Sequence, residues 1–219
     1  MSKVPGREAD DLTIGRVEGF SDAVLAIAAT LLAVQLSTGH GGGSLADRLG
    51  DQWPSFLSYF ISFMNIGTVW LNHHKVMSRL DRVDHPFLVL NLVLLMVVSL
   101  LPFPTRIIGD ELSGGNAADQ QTAALFYAGT FLAASIAFYA LWLWAAKGRR
   151  LIKPGVPDHL IRVRTLRFGL AIPLFAVPCG LAFLDPVAAL AGDGVIMASF
   201  LLSDATADVV MMWLARVDS

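Results

Sequence analysis

The chain has 219 residues, 55% of them hydrophobic and 16% charged, and a mean hydropathy of +0.60. Soluble domains carry about 25% charged residues, so these are too few charges to cover a water-soluble globule, and disorder, which requires low hydrophobicity, is excluded too. The 18 acidic and 16 basic residues give a net charge of -2 and no nucleic-acid footprint, and the one cysteine, Cys179, permits neither an intrachain disulfide nor a cysteine-based metal site.

What remains is an integral membrane protein. Stretches 23–46, 52–74, 85–105 and 120–146 contain no Asp, Glu, Lys or Arg. Each is long enough to supply the roughly 20 apolar residues of a spanning helix. Two more candidates follow: 168–184, which meets Asp185-Pro186, and 195–214, which is apolar apart from Asp204 and Asp208. The expected architecture is an all-α membrane protein, a single domain over 1–219, with six transmembrane helices at 17–36, 53–75, 86–105, 122–146, 167–188 and 194–215. Barrel strands are excluded because these runs do not alternate. The first apolar run follows some twenty mostly polar residues and lacks a clean small-residue cleavage site, so it is read as a retained helix and not a signal peptide.

Orientation follows from the basic residues. Lys3, Arg7, Arg16, Lys75, Arg79, Arg82, seven Lys and Arg between 147 and 167, and Arg216 fall on one side, against Arg48 and Arg106 on the other. Positive charge stays inside, so both termini are expected in the cytoplasm. The five tryptophans, Trp53, Trp70, Trp142, Trp144 and Trp213, are expected near span ends, where interfacial rings sit. The glycine-rich outer loop at 39–44 lacks the Gly-Lys-Ser/Thr ending of a phosphate loop. The longest connection, 147–167, is basic and suits contact with anionic lipid headgroups.

Ionisable groups inside spans are costly and are functional candidates by default. The first span carries Arg16-Val17-Glu18-Gly19-Phe20-Ser21-Asp22, then Ala26-Ile27-Ala28-Ala29-Thr30-Leu31-Leu32-Ala33-Val34. At about 100° per residue, Ile27, Leu31 and Val34 share one stripe, Phe20 and Ala23 continue it, Thr30 lies at its edge, and Asp22 points roughly 140° from Ile27. An Ile-Leu-Val stripe by itself reads as helix packing more readily than as a pore. His73 and His74 are adjacent and diverge on a helix, a poor chelate, so one of them bonding to the first helix is the better reading. Pro173 and Pro178 are expected to kink the fifth span. Asp204 and Asp208, four residues apart, suit either a proton or ion site or pairing with basic groups.

The motif Arg16-x-x-x-Phe20-Ser21-Asp22, with Ala26-Ile27 and Thr30-Leu31-Leu32 after it, resembles the transmembrane protein 175 family of potassium channels. Trp70-Leu71-Asn72-His73-His74, Asn91 within an apolar run, and Leu101-Pro102-Phe103-Pro104-Thr105 extend the likeness through the first half of the chain. The resemblance implies a multi-pass channel of a cell membrane, not an enzyme, without the Thr-Val-Gly-Tyr-Gly potassium filter, which is absent here. It implies a homotetramer in which four first helices surround the pore, with lipid and permeant potassium as its other partners, no resident cofactor and no metal. Carried over by position, Ile27 forms the narrow hydrophobic ring, Leu31 and Val34 form constrictions further out, and Thr30 offers hydroxyls beside the ring. Val34 stands where a bulkier leucine is expected. Arg16, Phe20, Ser21, Asp22, His73 and His74 form the motif network that fastens the first helix. The alternatives are a proton-coupled secondary transporter using Asp22, His73, Asp204 and Asp208 as relay groups, and a membrane enzyme with histidine-bound metal. The first lacks a broken-helix pair and the second lacks a nucleophile-base arrangement.

Overall fold

The computed structural model describes the backbone of residues 5–36 and 44–217 and the side chains of residues 14–36 and 44–202. The described residues form helices α1 (Pro5–Val34), α2 (Leu45–Asp51), α3 (Trp53–Met77), α4 (His85–Leu100), α5 (Pro102–Gly114), α6 (Ala117–Ala146), α7 (Asp158–Leu181) and α8 (Pro186–Val217). The chain is all-helical, and the one β-type contact among the described residues is an isolated antiparallel bridge between Leu80 and Ile152.

Capping sets the boundaries. Ser44 and Asp47 form a reciprocal capping box at the start of α2, Asp84 accepts from the Phe87 N–H at α4, and Asn116 accepts from the N–H groups of Ala118 and Asp119 at α6. Helix boundaries differ from four of the expected spans. The third, 86–105, divides into α4 and α5, because Pro102 has no N–H to return to Val98, whose carbonyl is taken by the Leu101 N–H at 3.1 Å. The fifth begins earlier and ends earlier than 167–188: α7 starts at Asp158, inside the connection expected at 147–167, and closes at Leu181 with Pro173 and Pro178 both within it. The sixth starts at Pro186 instead of 194, because Asp185 caps it by accepting from the Val187 and Ala188 N–H groups. The helix predicted from 17 begins at Pro5.

Three of the described helical segments, Ile14–Val34, His85–Gly114 and Ala117–Arg149, are long and apolar enough to cross a membrane, and Pro186–Leu202 is a shorter apolar helix. Freedom from charge is a weaker property than apolarity: α3 carries Ser58, Ser62, Asn65, Asn72 and His73 buried on its inner side. Helix α6 packs against α4, α5, α7 and α8. Its buried face alternates Ala123, Ala124, Ala128, Ala134 and Ala145 with Tyr127, Phe131, Phe138 and Trp142, and the small residues let the neighbours approach. Where α5 crosses α3, a Cβ on Gly109 would stand 2.8 Å from the Ser55 Cα, so only glycine fits that crossing. Trp142 is not interfacial: it is fully buried and its Nε1 donates to Thr165 Oγ1 at 2.9 Å. The side chain of Trp213 lies outside the described residues, as do those of Asp204 and Asp208 and the loop 37–43.

At one end of the bundle the α3–α4 and α6–α7 connections are tied together. The Asp81 N–H donates to the Leu151 carbonyl (2.8 Å) and the Lys153 N–H to the Arg79 carbonyl (2.9 Å). Arg150 pairs with Asp84 at 3.1 Å and lies over the Trp144 ring, whose Nε1 donates to the same carboxylate. Gly148 adopts a left-handed conformation (φ 59°) where the chain leaves α6.

Candidate pore helix and its anchor

Helix α1 has two faces of different kind. Ser21, Leu25, Ala28 and Leu32 recur at helical spacing and are buried against the rest of the chain. On the other side Phe20, Ile27 (59% exposed), Leu31 and Val34 (77% exposed) touch nothing that covers them, and Thr30 and Ala23 are exposed beside them. The Thr30 hydroxyl donates to the Ile27 carbonyl at 2.9 Å, which spends its proton on its own helix and leaves its lone pairs outward.

The inner face is fastened by polar contacts that run in one direction. His73 Nε2 donates to Asn91 Oδ1 (2.8 Å), Asn91 Nδ2 donates to Ser21 Oγ (3.0 Å), and Ser21 Oγ donates to the Val17 carbonyl (2.8 Å). All three side chains are buried. This chain threads α3, α4 and α1 together in an interior where an unmade hydrogen bond is expensive. Two further contacts join α1 to α3 nearer the surface: the Trp70 indole donates to Asp22 Oδ1 at 3.0 Å, and His74 Nδ1 donates to Glu18 Oε1 at 2.8 Å. Trp70 and His74 stack, with ring centroids 6.4 Å apart.

The structure therefore brings Ser21 and His73 into one cluster, and places Asp22 and His74 in two others beside it. Arg16 lines a shallow groove with Val17, Phe20, Leu88, Asn91 and Leu92, beside the anchor. Both histidines reach the first helix, His74 directly and His73 through Asn91. Asp22 and Trp70 line a cleft between α1 and α3 together with Ala26, Ala29 and Gly67. Among the described residues no group of three or more His, Cys, Asp or Glu side chains could hold a metal. Two participants carry roles the motif reading did not give them. Asn91, noted as a polar residue in an apolar run, is the link between two other helices, and Trp70, read as an interfacial ring, is a hydrogen-bond donor to the motif carboxylate.

The family model for the endosomal/lysosomal potassium channel TMEM175 matches residues 16–102, the segment that runs from Arg16 on α1 through α3 and α4. A potassium channel of Streptomyces collinus is 39% identical over 184 residues, covering 83% of this chain and 88% of its own. A potassium channel of Chamaesiphon minutus is 37% identical over 175 residues, covering 78% and 85%. The crystal structure of a lysosomal potassium-selective channel TMEM175 homologue from Chamaesiphon minutus superposes with a TM-score of 0.77 at 34% identity, covering 87% of this chain and 97% of that one. The helical fold and its apolar segments define a membrane protein of the ion-channel class, not an enzyme. The chain belongs to the TMEM175 family of potassium channels.

Proposed function

We propose that the protein is a potassium-permeable cation channel of a cell membrane, assembled as a homotetramer with four copies of α1 around the pore. In this reading the chain crosses the membrane six times, with α4 and α5 as one span, and positive-inside sorting of fourteen basic residues supports cytoplasmic termini. The observation that carries this reading is the two-faced α1: its inner side is held by the Ser21–Asn91–His73 chain while Ile27, Thr30, Leu31 and Val34 have no cover within the subunit. A stripe fixed this firmly can meet its own copies across a closed symmetry axis.

In the tetramer Ile27 makes a narrow apolar ring. Such a ring excludes water and raises a local barrier to a hydrated ion, which is how a hydrophobic constriction gates or selects. Thr30, one turn on, offers lone pairs to an ion that has shed part of its shell. Leu31 and Val34 line the wider path beyond. Of the motif residues, Ser21, Asp22, His73 and His74 set the angle at which α1 presents this stripe, through their contacts with α3 and α4. Potassium is the permeant species and the channel needs no resident cofactor.

The test is reconstitution into liposomes with flux measured under potassium and sodium gradients. Wild-type protein carries potassium in preference to sodium, and Ile27→Asn carries more cation with less discrimination. Leu170→Asn on α7, which is equally exposed at 59%, leaves both unchanged. Flux and selectivity unaltered by Ile27→Asn in an assembled tetramer would refute the ring.

A further inference from the structure

Asp193 on α8 is a carboxylate with 0% exposure, and neither of its oxygens has a hydrogen-bond partner. It lies where α8 meets two neighbours: Gly192 abuts Pro178 and Leu181 of α7, and Gly194 abuts Ile61 of α3. Among the described residues, the titratable groups within reach of its charge are Tyr127 on α6 and Cys179 on α7. From α3, Ile61 is followed by the hydroxyl of Ser62, which does not titrate.

A bare carboxylate in such a place is a buried, uncompensated charge, which proteins avoid by pairing or neutralising it. Beside it runs a short chain of hydroxyls. Tyr127 Oη and Ser62 Oγ are 3.0 Å apart and Ser62 Oγ and Thr105 Oγ1 are 2.7 Å apart; the Thr105 hydroxyl donates to the Leu101 carbonyl at 2.6 Å, so it passes a proton to Ser62 only after turning away from that carbonyl. Ser62 and Tyr127 are buried and Thr105 nearly so. Thr105 also lines a small polar cavity at the α2 end of the bundle, with Gln35, Ser55, Arg106 and Asp110. Hydroxyls that both donate and accept make a relay that can run in either direction.

We infer that Asp193 is a proton-binding site inside each subunit, loaded from the α2 end through Thr105, Ser62 and Tyr127 and separate from the α1 stripe. In the loading step a hydronium in the cavity gives a proton to Thr105, which passes its own to Ser62, Ser62 to Tyr127, and Tyr127 to the carboxylate. Each O–H bond breaks as the next forms, the hydroxyls rotate back, and the net change is hydronium to water and carboxylate to carboxylic acid. Neither Asp193 oxygen is bonded to Tyr127 in this structure, so the last transfer crosses on a water or after rotation of the Asp193 side chain. The site does not depend on the pore reading, because Asp193, Tyr127, Ser62 and Thr105 lie on α8, α6, α3 and α5, although Leu32 of α1 lines part of the cavity.

Difference infrared spectroscopy of the reconstituted protein tests this without measuring conduction. At neutral pH the wild type shows a protonated-carboxyl stretch that shifts on carboxyl-13C labelling of aspartate and is lost in Asp193→Asn. In Tyr127→Phe the band persists but its hydrogen–deuterium exchange slows about tenfold, the rate equivalent of one lost relay contact. Should Asp193→Asn fail to fold, labelled wild type and Tyr127→Phe still give both readouts. Two results overturn the proposal: a protonated-carboxyl band that is absent from labelled wild type or kept in Asp193→Asn, and exchange as fast as in the wild type in both Tyr127→Phe and Ser62→Ala.

Discussion

Replacing Asn91 by leucine tests the anchor of α1 most directly. The side chains are similar in size, so little volume is lost, but both polar arms vanish. Asn91 Oδ1 accepts from His73 at 2.8 Å and its Nδ2 donates to Ser21 at 3.0 Å, all three side chains being at most 2% exposed. Two hydrogen bonds in a membrane interior average about 0.6 kcal/mol each and reach about 1.7. The stranded His73 N–H adds about 1–3 kcal/mol, because its other ring nitrogen is already without a partner. Asn91→Leu is therefore expected to cost about 2–4 kcal/mol. The assay is unfolding in detergent, by thermal and denaturant midpoints, for Asn91→Leu, Ser21→Ala and the double variant. Because Ser21 and Asn91 touch, the cycle should show a coupling of at least about 0.5 kcal/mol. A cost below about 0.5 kcal/mol together with additive singles would refute the claim that this chain fastens α1.

Four further outcomes follow from the same geometry. Ile27→Asn wets the proposed ring and raises cation flux in the liposome assay, whereas truncation of Val34 to Ala changes flux less because Val34 lies near the wide end of the stripe. Asp22→Ala removes the acceptor of the Trp70 indole and lowers tetramer yield on size-exclusion chromatography more than it alters selectivity; Trp70→Phe reproduces part of the loss. Gly109→Ala drives a methyl to 2.8 Å from the Ser55 Cα and lowers stability by about 1–3 kcal/mol, while Gly114→Ala, with open space around it, is close to neutral in the same melt. The Asp47 carboxyl is held below its usual range by the Ser44 hydroxyl and backbone N–H. Its contribution to α2 is thus complete above the unfolded value near 3.9 and is lost as pH falls through the folded one, seen as a falling protection factor of the Ser44 amide, which donates to Asp47, and as no such fall in Asp47→Ala.

The stripe on α1 was legible because period and composition agree there: Ile27, Leu31 and Val34 fall on one face and the opposite face packs inward. The motif was legible as a string, but its wiring was not. Nothing in Trp70 distinguishes an interfacial ring from one that donates to a carboxylate two helices away in sequence, since that depends on how α1 and α3 cross. Helix ends were misplaced where a side chain caps or a proline interrupts, as at Leu101-Pro102 and Asp185-Pro186. That error had a cost: with the last span begun at 194, Asp193 fell one residue outside it and drew no attention. Trp142 was misplaced for a similar reason, as a position near a helix end says nothing about whether that end is covered by α7.

One carboxylate at the basic end has a wider reach than its size suggests. Asp84 caps α4, accepts the Trp144 indole and pairs with Arg150, whose backbone carbonyl in turn accepts from Arg82. Seven residues beyond the cap, two turns along the same rigid rod, sits Asn91. The α6–α7 connection and the Ser21 side chain of α1 are therefore fastened to two points of one helix, Asp84 and Asn91. The second half of the chain is geared to the first through α4, which carries the Asp84 cap at one end and the Asn91 link to Ser21 of α1 two turns along.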